Sequence, residues 1–225
     1  MMDLDGRERG NSNGLHNASE GSSETFTYAT IPVPEFKYPG DTPILDNDYG
    51  ISIDAPIVID NGSCRLRAGF GSQSEPYLSI PNLASKYRER KSAPPVHLIG
   101  NNVFYDTSAR LQAKSPFDGG IVTNVDIMES MLEYVFHKLN ITEERGLIMT
   151  EPIANPSFYR NQISELLFEG FNIKDLTVGI DALWSFYNGG GRDGIVVSMG
   201  HSATHVLPVI DGIPRLIDAK RYEFI

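Results

Sequence analysis

Hydrophobic and polar residues fall into clear periods only after residue 55. Residues 56–60 (PIVID) form a short apolar run that predicts a buried strand, and Asn61-Gly62 behind it is a strong hairpin turn. Residues 65–70 alternate as the return strand. Met128, Leu132, Val135 and Leu139 then recur at helical spacing and predict a helix over 126–139. A short strand at 147–149 follows. Asn155-Pro156 has the signature of a helix start, a cap followed by proline at the first helical position, with Gly170 as the stop. Residues 176–180 predict another strand, and 182–188 a short helix that three glycines at 189–191 interrupt. A second hairpin is expected from 194–199 and 204–209, after which Asp211-Gly212 turns the chain into 213–216. One strand–turn–strand unit occurs twice, at Asp60 and at Gly200, and no longer repeat is visible.

A hairpin, then alternating helices and strands, then another hairpin predicts an α/β fold with antiparallel edge strands and parallel inner ones. The charge is unevenly spread. Residues 1–54 hold ten Asp and Glu against three Lys and Arg, whereas the remainder holds nineteen against sixteen. The acidity therefore belongs to a leader, and the folded part lacks the broad basic face that sequence-specific DNA binding requires. Gly, Ser and Asn dominate the first 25 residues, and prolines at 32, 34, 39, 43 and 56 are interleaved with Phe26, Tyr28, Phe36 and Tyr38. A disordered acidic leader over 1–54 is expected, with ordering against a partner through those aromatics as the alternative. The single cysteine, Cys64, excludes an internal disulfide and fits a reducing compartment. Apolar runs stay well short of the roughly 18 residues that cross a bilayer, and the first twenty residues lack a signal-peptide core. Cytoplasm or nucleus remains.

Several short patterns invite a chemical reading. The turn at Asp60-Asn61-Gly62-Ser63 could cradle a phosphate on successive backbone N–H groups, with the Asp60 carboxylate ordering water around Mg²⁺. The same residues also make an ordinary hairpin turn. His201 and His205 have the spacing of a metal pair, but only a helix would bring them to one face, and this stretch predicts a hairpin. Ser198-Met199-Gly200 lacks the glycine that a nucleophile elbow needs, since Val196 stands there. The basic segment at Lys86, Arg88, Arg90 and Lys91 predicts a solvated loop, with contact to phosphate or to an acidic partner as the alternative.

Residues 60–70, DNGSCRLRAGF, closely resemble the first phosphate loop of the actin family. Further similarities follow in order: SPFDGGIVTN at 115–124, TEP at 150–152, LFEGFNI at 167–173 and GRDGIVVSMGHSATHVLPVIDG at 191–212. The segments KYRERK, SPFDGG, GIDALWSFYN and DAKR are most similar to a nuclear branch of actin-related proteins that works in the Ino-eighty chromatin remodeller. The resemblance implies an actin-like, split RNase H-like fold, with a first lobe over 55–188 and the start of a second over 189–225. It implies two phosphate hairpins closing on a nucleotide and a hinge near 181–191. A nucleotide-binding remnant would then comprise Asp60, Gly62, Ser63, Cys64 and Arg67 on the first hairpin, with Ser198, Gly200, His201 and Ser202 on the second.

Departures from the family pattern imply lost catalysis. Cys64 replaces the glycine that nearly touches phosphate, and Arg67 replaces the phosphate-reaching lysine. Asp181 stands where a glutamine orients the attacking water. Ser198 and His201 stand where two aspartates order the Mg²⁺ shell, and only His205 keeps the family's second water-positioning residue. Phosphoryl transfer needs both a neutralising metal and a placed nucleophile, so no ATP or Mg²⁺ is expected to be required and any binding to be weak. The partners implied are other subunits of a chromatin-remodelling complex, with the nucleosome contacted indirectly, no membrane, and a nuclear location. The resemblance stops at Arg221. A truncated second lobe is accordingly expected to leave Ile195, Val197, Val206 and Val209 facing solvent.

Overall fold

The computed structural model describes residues 42–46, 50–52, 54–88, 96–171 and 173–223, all within one unit, Lys37–Ile225. In chain order the elements begin with β1 (Ile57–Asn61), β2 (Arg65–Phe70), β3 (Leu78–Pro81), β4 (Ala84–Tyr87) and β5 (Val96–Ile99). A 3₁₀ turn at Gly100–Tyr105 leads into α1 (Thr107–Leu111), the short ribbon β6 (Phe117–Asp118) and β7 (Ile121–Val122), and α2 (Val125–Lys138). Next come β8 (Gly146–Glu151), α3 (Ser157–Glu165) with a π-helical turn at Leu166–Gly170, β9 (Asp175–Ile180) and α4 (Asp181–Asn188). The chain continues with β10 (Gly194–Met199), β11 (Ala203–Ile210), β12 (Ile213–Pro214), a 3₁₀ turn at Leu216–Asp218 and β13 (Lys220–Glu223).

β1 is the central strand of a five-stranded sheet ordered β3-β2-β1-β8-β9. It pairs antiparallel with β2, as a hairpin must, and parallel with β8, which α1 and α2 separate from it in sequence. The apolar alternation of β1 places Ile57 and Ile59 in the core beside Leu66 and Ala68 of β2 and Leu78 and Ile80 of β3. α2 covers them with Met128, Leu132 and Val135 of the predicted stripe and with Met131 besides, while the fourth predicted residue, Leu139, is buried at the helix C-cap. Its ends are set locally. The Asn124 side chain accepts a hydrogen bond from the Ile127 amide, Asp126 lies in the first turn, and His137 and Lys138 lie in the last.

A smaller cluster joins Ile153, Ala182 and Leu183 to Leu207 and Val209 of β11. β11 is flanked by β10 and β12, and β13 also pairs with it, setting His205 opposite Arg221 and Thr204 opposite Tyr222. Among the described residues no helix is long and apolar enough to cross a membrane.

Most predicted elements recur within a residue or two, and the differences have physical causes. The helix expected to be capped by Asn155 begins one residue later, with Pro156 at the cap position and no side-chain cap bond, and the Asn155 side chain donates to Glu151. Lys86, expected in a loop, lies in β4; Arg88 is exposed, and residues 90 and 91 fall outside the described ones. Ile195 and Val197 do face solvent, at 68% and 54% exposure. Val209 does not, being 1% exposed, because it lies on the face of β11 that α4 covers. Val206 is half-buried, flanked by β13. The leader expected over 1–54 falls mostly outside the described residues. Leu45, however, is in the main core and its amide donates to the Lys138 carbonyl, ahead of the 54/55 boundary drawn from composition.

Leu132 is fully buried against the sheet. Leu132→Ala is expected to cost about 2–5 kcal/mol in urea denaturation, whereas Leu111→Ala on exposed α1 should change stability by less than about 0.5 kcal/mol. Similar losses at both positions would contradict this packing.

Candidate functional site

The turns of the two hairpins line a cleft of about 390 Å³, with Asp181 at the start of α4 and Thr150 at the end of β8 contributing to its walls. Register explains the placement. Asp60 stands opposite Arg67 in the first hairpin, and Ser198 stands opposite His205 in the second. Opposed residues in an antiparallel pair share a face, so each hairpin carries one such pair just behind its turn.

The first turn is tightly built. A side chain at Gly62 would put its Cβ 2.9 Å from the Arg65 carbonyl oxygen, so only glycine fits. Buried Asn61 accepts a hydrogen bond from Asn82 at 3.0 Å, and Asn82 also donates to the Gly62 carbonyl at 3.1 Å. Both carboxylate oxygens of Asp60 have partners: Arg67 donates to one at 2.8 Å and the Thr150 hydroxyl to the other at 3.0 Å. The Thr150 oxygen in turn accepts from the Asn61 amide at 2.8 Å. Ser202 of the second turn donates to Ser63 of the first at 2.9 Å, which links the hairpins directly.

The opposite wall carries the titratable groups. Asp181 keeps part of its surface open to solvent. The protein around its carboxyl nevertheless desolvates it and pushes its pKa above the ordinary 3.8, against a hydrogen bond from the Ala182 amide. The negative charge of Asp60 adds to the rise and His205 opposes it. Burial lowers His205 below its ordinary 6.5; the Arg221 charge adds to this, and Asp181 opposes it. The buried Nε2 of His205 has no hydrogen-bond partner among the described residues. Arg221 is ion-paired to Glu223 at 3.0 Å and lies beneath the Gly119–Gly120 turn, both of whose glycines have positive φ.

Gly62, Ser63, Cys64, Arg67, Ser198, Gly200, His201, Ser202, His205 and Asp181 all line this one cleft, and Asp60 sits at its edge through Arg67. Thr150, Asn82 and Arg221 were missed in the sequence. Thr150 opens the TEP step, which is the one signal that pointed to it. Asn82 lies between two four-residue strands with no periodicity, and Arg221 depends on a strand pairing that no local pattern encodes.

The cleft has room for phosphate groups, and its glycine turns suit close backbone approach. The donors suit hydrated Mg²⁺ poorly. Asp60 is already held by a cation and a hydroxyl, and Ser198 and His201 add no carboxylate. Among the described residues no group of three or more His, Cys, Asp or Glu is placed to hold a metal ion.

A sheet built on a hairpin and a second hairpin facing the first across a cleft define an actin-type fold, and the sequence profile of the actin family matches residues 53–218. The chain belongs to the actin family. Among curated proteins it is 43% identical to the actin-like protein arp5 of Schizosaccharomyces pombe, covering 84% of this chain and 26% of that protein. It is 40% identical to actin-related protein 5 of Saccharomyces cerevisiae, covering 79% and 24% respectively. For actin-related protein 5 of Homo sapiens the identity is 32%, over 75% of this chain and 29% of the relative. The chain thus spans about a quarter of the length of these relatives.

The two shifted pKa values act in opposite directions on stability. The unfolded chain binds a proton at His205 more readily than the folded one does. The contribution of His205 is therefore present above about pH 6.5 and is lost as pH falls from there through the folded value. Asp181, raised on folding, contributes below pH 3.8 and loses that contribution as pH rises through its folded value. Urea midpoints are expected to fall between about pH 7 and pH 5, and His205→Gln should flatten that decline. Identical slopes for the two proteins would contradict the burial of the imidazole.

Proposed function

We propose that this protein is a non-catalytic, actin-related structural subunit of a nuclear chromatin-remodelling complex of the Ino-eighty type. In this reading the actin fold serves as a docking body for other subunits, and the nucleosome is contacted through them. The observation that carries the loss of catalysis is Asp60. Its carboxylate is held by Arg67 and Thr150, so it is poorly placed to order a metal's water shell. Asp181 supports the same reading, because a carboxylate there repels the γ-phosphate and, when ionised, cannot donate to it. The relatives' names place the chain among actin-related proteins; the remodelling role extends from the resemblance of KYRERK, SPFDGG, GIDALWSFYN and DAKR.

A nucleotide-binding or ATP-hydrolysing protein is the second reading. The open cleft between the two hairpins is the observation in its favour. ATP with Mg²⁺ would then bind weakly through the backbone of the turns, and any hydrolysis would need that metal.

Purified protein is expected to release phosphate from ATP at the buffer's background rate. Asp60→Ala should leave that rate unchanged. Steady release that Asp60→Ala abolishes would overturn the non-catalytic reading and favour the second.

A further inference from the structure

A second cavity, of about 350 Å³, lies between the β4–β5 ribbon and the first turn of α2 and shares no lining residue with the cleft between the hairpins. The strand register decides what faces it. Lys86 stands opposite His97 in the β4–β5 ladder, and Ala84, paired with Ile99 on one side, is bridged to Lys114 on the other. Opposed residues share a face of an antiparallel ladder, as do residues two apart along a strand. Lys86, His97 and Lys114 therefore project from the same face as Ala84 and Ile99. Those two pack against the main core together with Ile127, so the cationic face is the one turned to α2.

The electrostatics of this recess are unbalanced. Both lysines are exposed, and neither ammonium group forms an ion pair or hydrogen bond with a described residue. Among the described residues the only acidic side chain on the lining is Asp126, one negative charge against two ammonium groups. The N-terminus of the 14-residue α2 adds a positive dipole end on the opposite wall. Asn124 and Gln112, also on the lining, supply neutral donors. In a chain of net charge −10 this positive charge is local, and it lies at an open recess.

We propose that the recess binds a phosphoryl group, held by Lys86 and Lys114 and facing the first turn of α2. A compact dianion matches two point-charge ammonium groups better than a single carboxylate does. Lys86 is thereby assigned a ligand distinct from any nucleotide in the cleft between the hairpins.

The test is an amide-resolved NMR titration of the 225-residue chain with inorganic phosphate, with O-phosphoserine and with aspartate, all at constant ionic strength to hold screening fixed. Shifts are expected at residues 84–86 and 125–127 with both phosphates and not with aspartate. Lys86→Gln with Lys114→Gln should weaken binding about ten-fold or more, as loss of charge-assisted contacts implies, while Asp126→Asn should tighten it. A response to phosphoserine alone also supports the proposal and assigns the phosphate to an ester on a larger molecule. Shifts confined to residues 62–64 and 200–202, an equal response to aspartate, or unchanged affinity in the double lysine variant would overturn it. Thermal melts of each variant identify any loss of fold, and the Asp126→Asn gain is a result that misfolding cannot mimic.

Discussion

Every part of the site depends on β1 being held from both sides. The antiparallel ladder to β2 fixes which residues of the first turn face one another, and the parallel ladder to β8 brings Thr150 beside Asp60. A slip of one residue in the first ladder would part Asp60 from Arg67, and a slip in the second would part it from Thr150. Burial of Ile57 and Ile59, at roughly 1.5–3 kcal/mol each, holds in place the strand that leads into that turn. Core packing and site geometry are one constraint here.

The same logic operates on the second hairpin with a smaller margin. Its inward face is covered by Ala182 and Leu183 of α4, so the helix that carries Asp181 also positions His205. The outward face keeps Ile195, Val197 and Met199 exposed. The two hairpins meet through Ser63 and Ser202, and the Gly119–Gly120 turn packs against Ser202 and Arg221. At the cleft Asp60 is satisfied by Arg67 and Thr150 and Ser63 by Ser202, while the buried Nε2 of His205 has no partner among the described residues.

Much of this was legible in the sequence wherever a local rule operates. Asn61-Gly62 announced the first hairpin, and the spacing of Met128, Leu132 and Val135 announced α2, because a turn and a helix stripe are encoded within a few residues. The candidate residues of the two turns come together in one cleft, as the order of the motifs implied. Long-range pairing was illegible. Nothing local distinguishes Lys220–Glu223 as a strand of the second sheet, and β3, β4 and β5 are four-residue strands with too few periods to detect. The burial of Val209 was missed for the same reason, since it depends on α4 crossing to meet β11.

The central proposal is that this cleft has no use for a hydrated metal, because Arg67 and Thr150 already hold Asp60 and the second hairpin supplies Ser198 and His201 rather than carboxylates. Equilibrium titration with ATP, in Mg²⁺ and again in a chelator, tests it most directly. The account predicts the same weak affinity under both conditions. Binding that tightens about ten-fold or more when Mg²⁺ is present, a gain of roughly 1.4 kcal/mol, would contradict it.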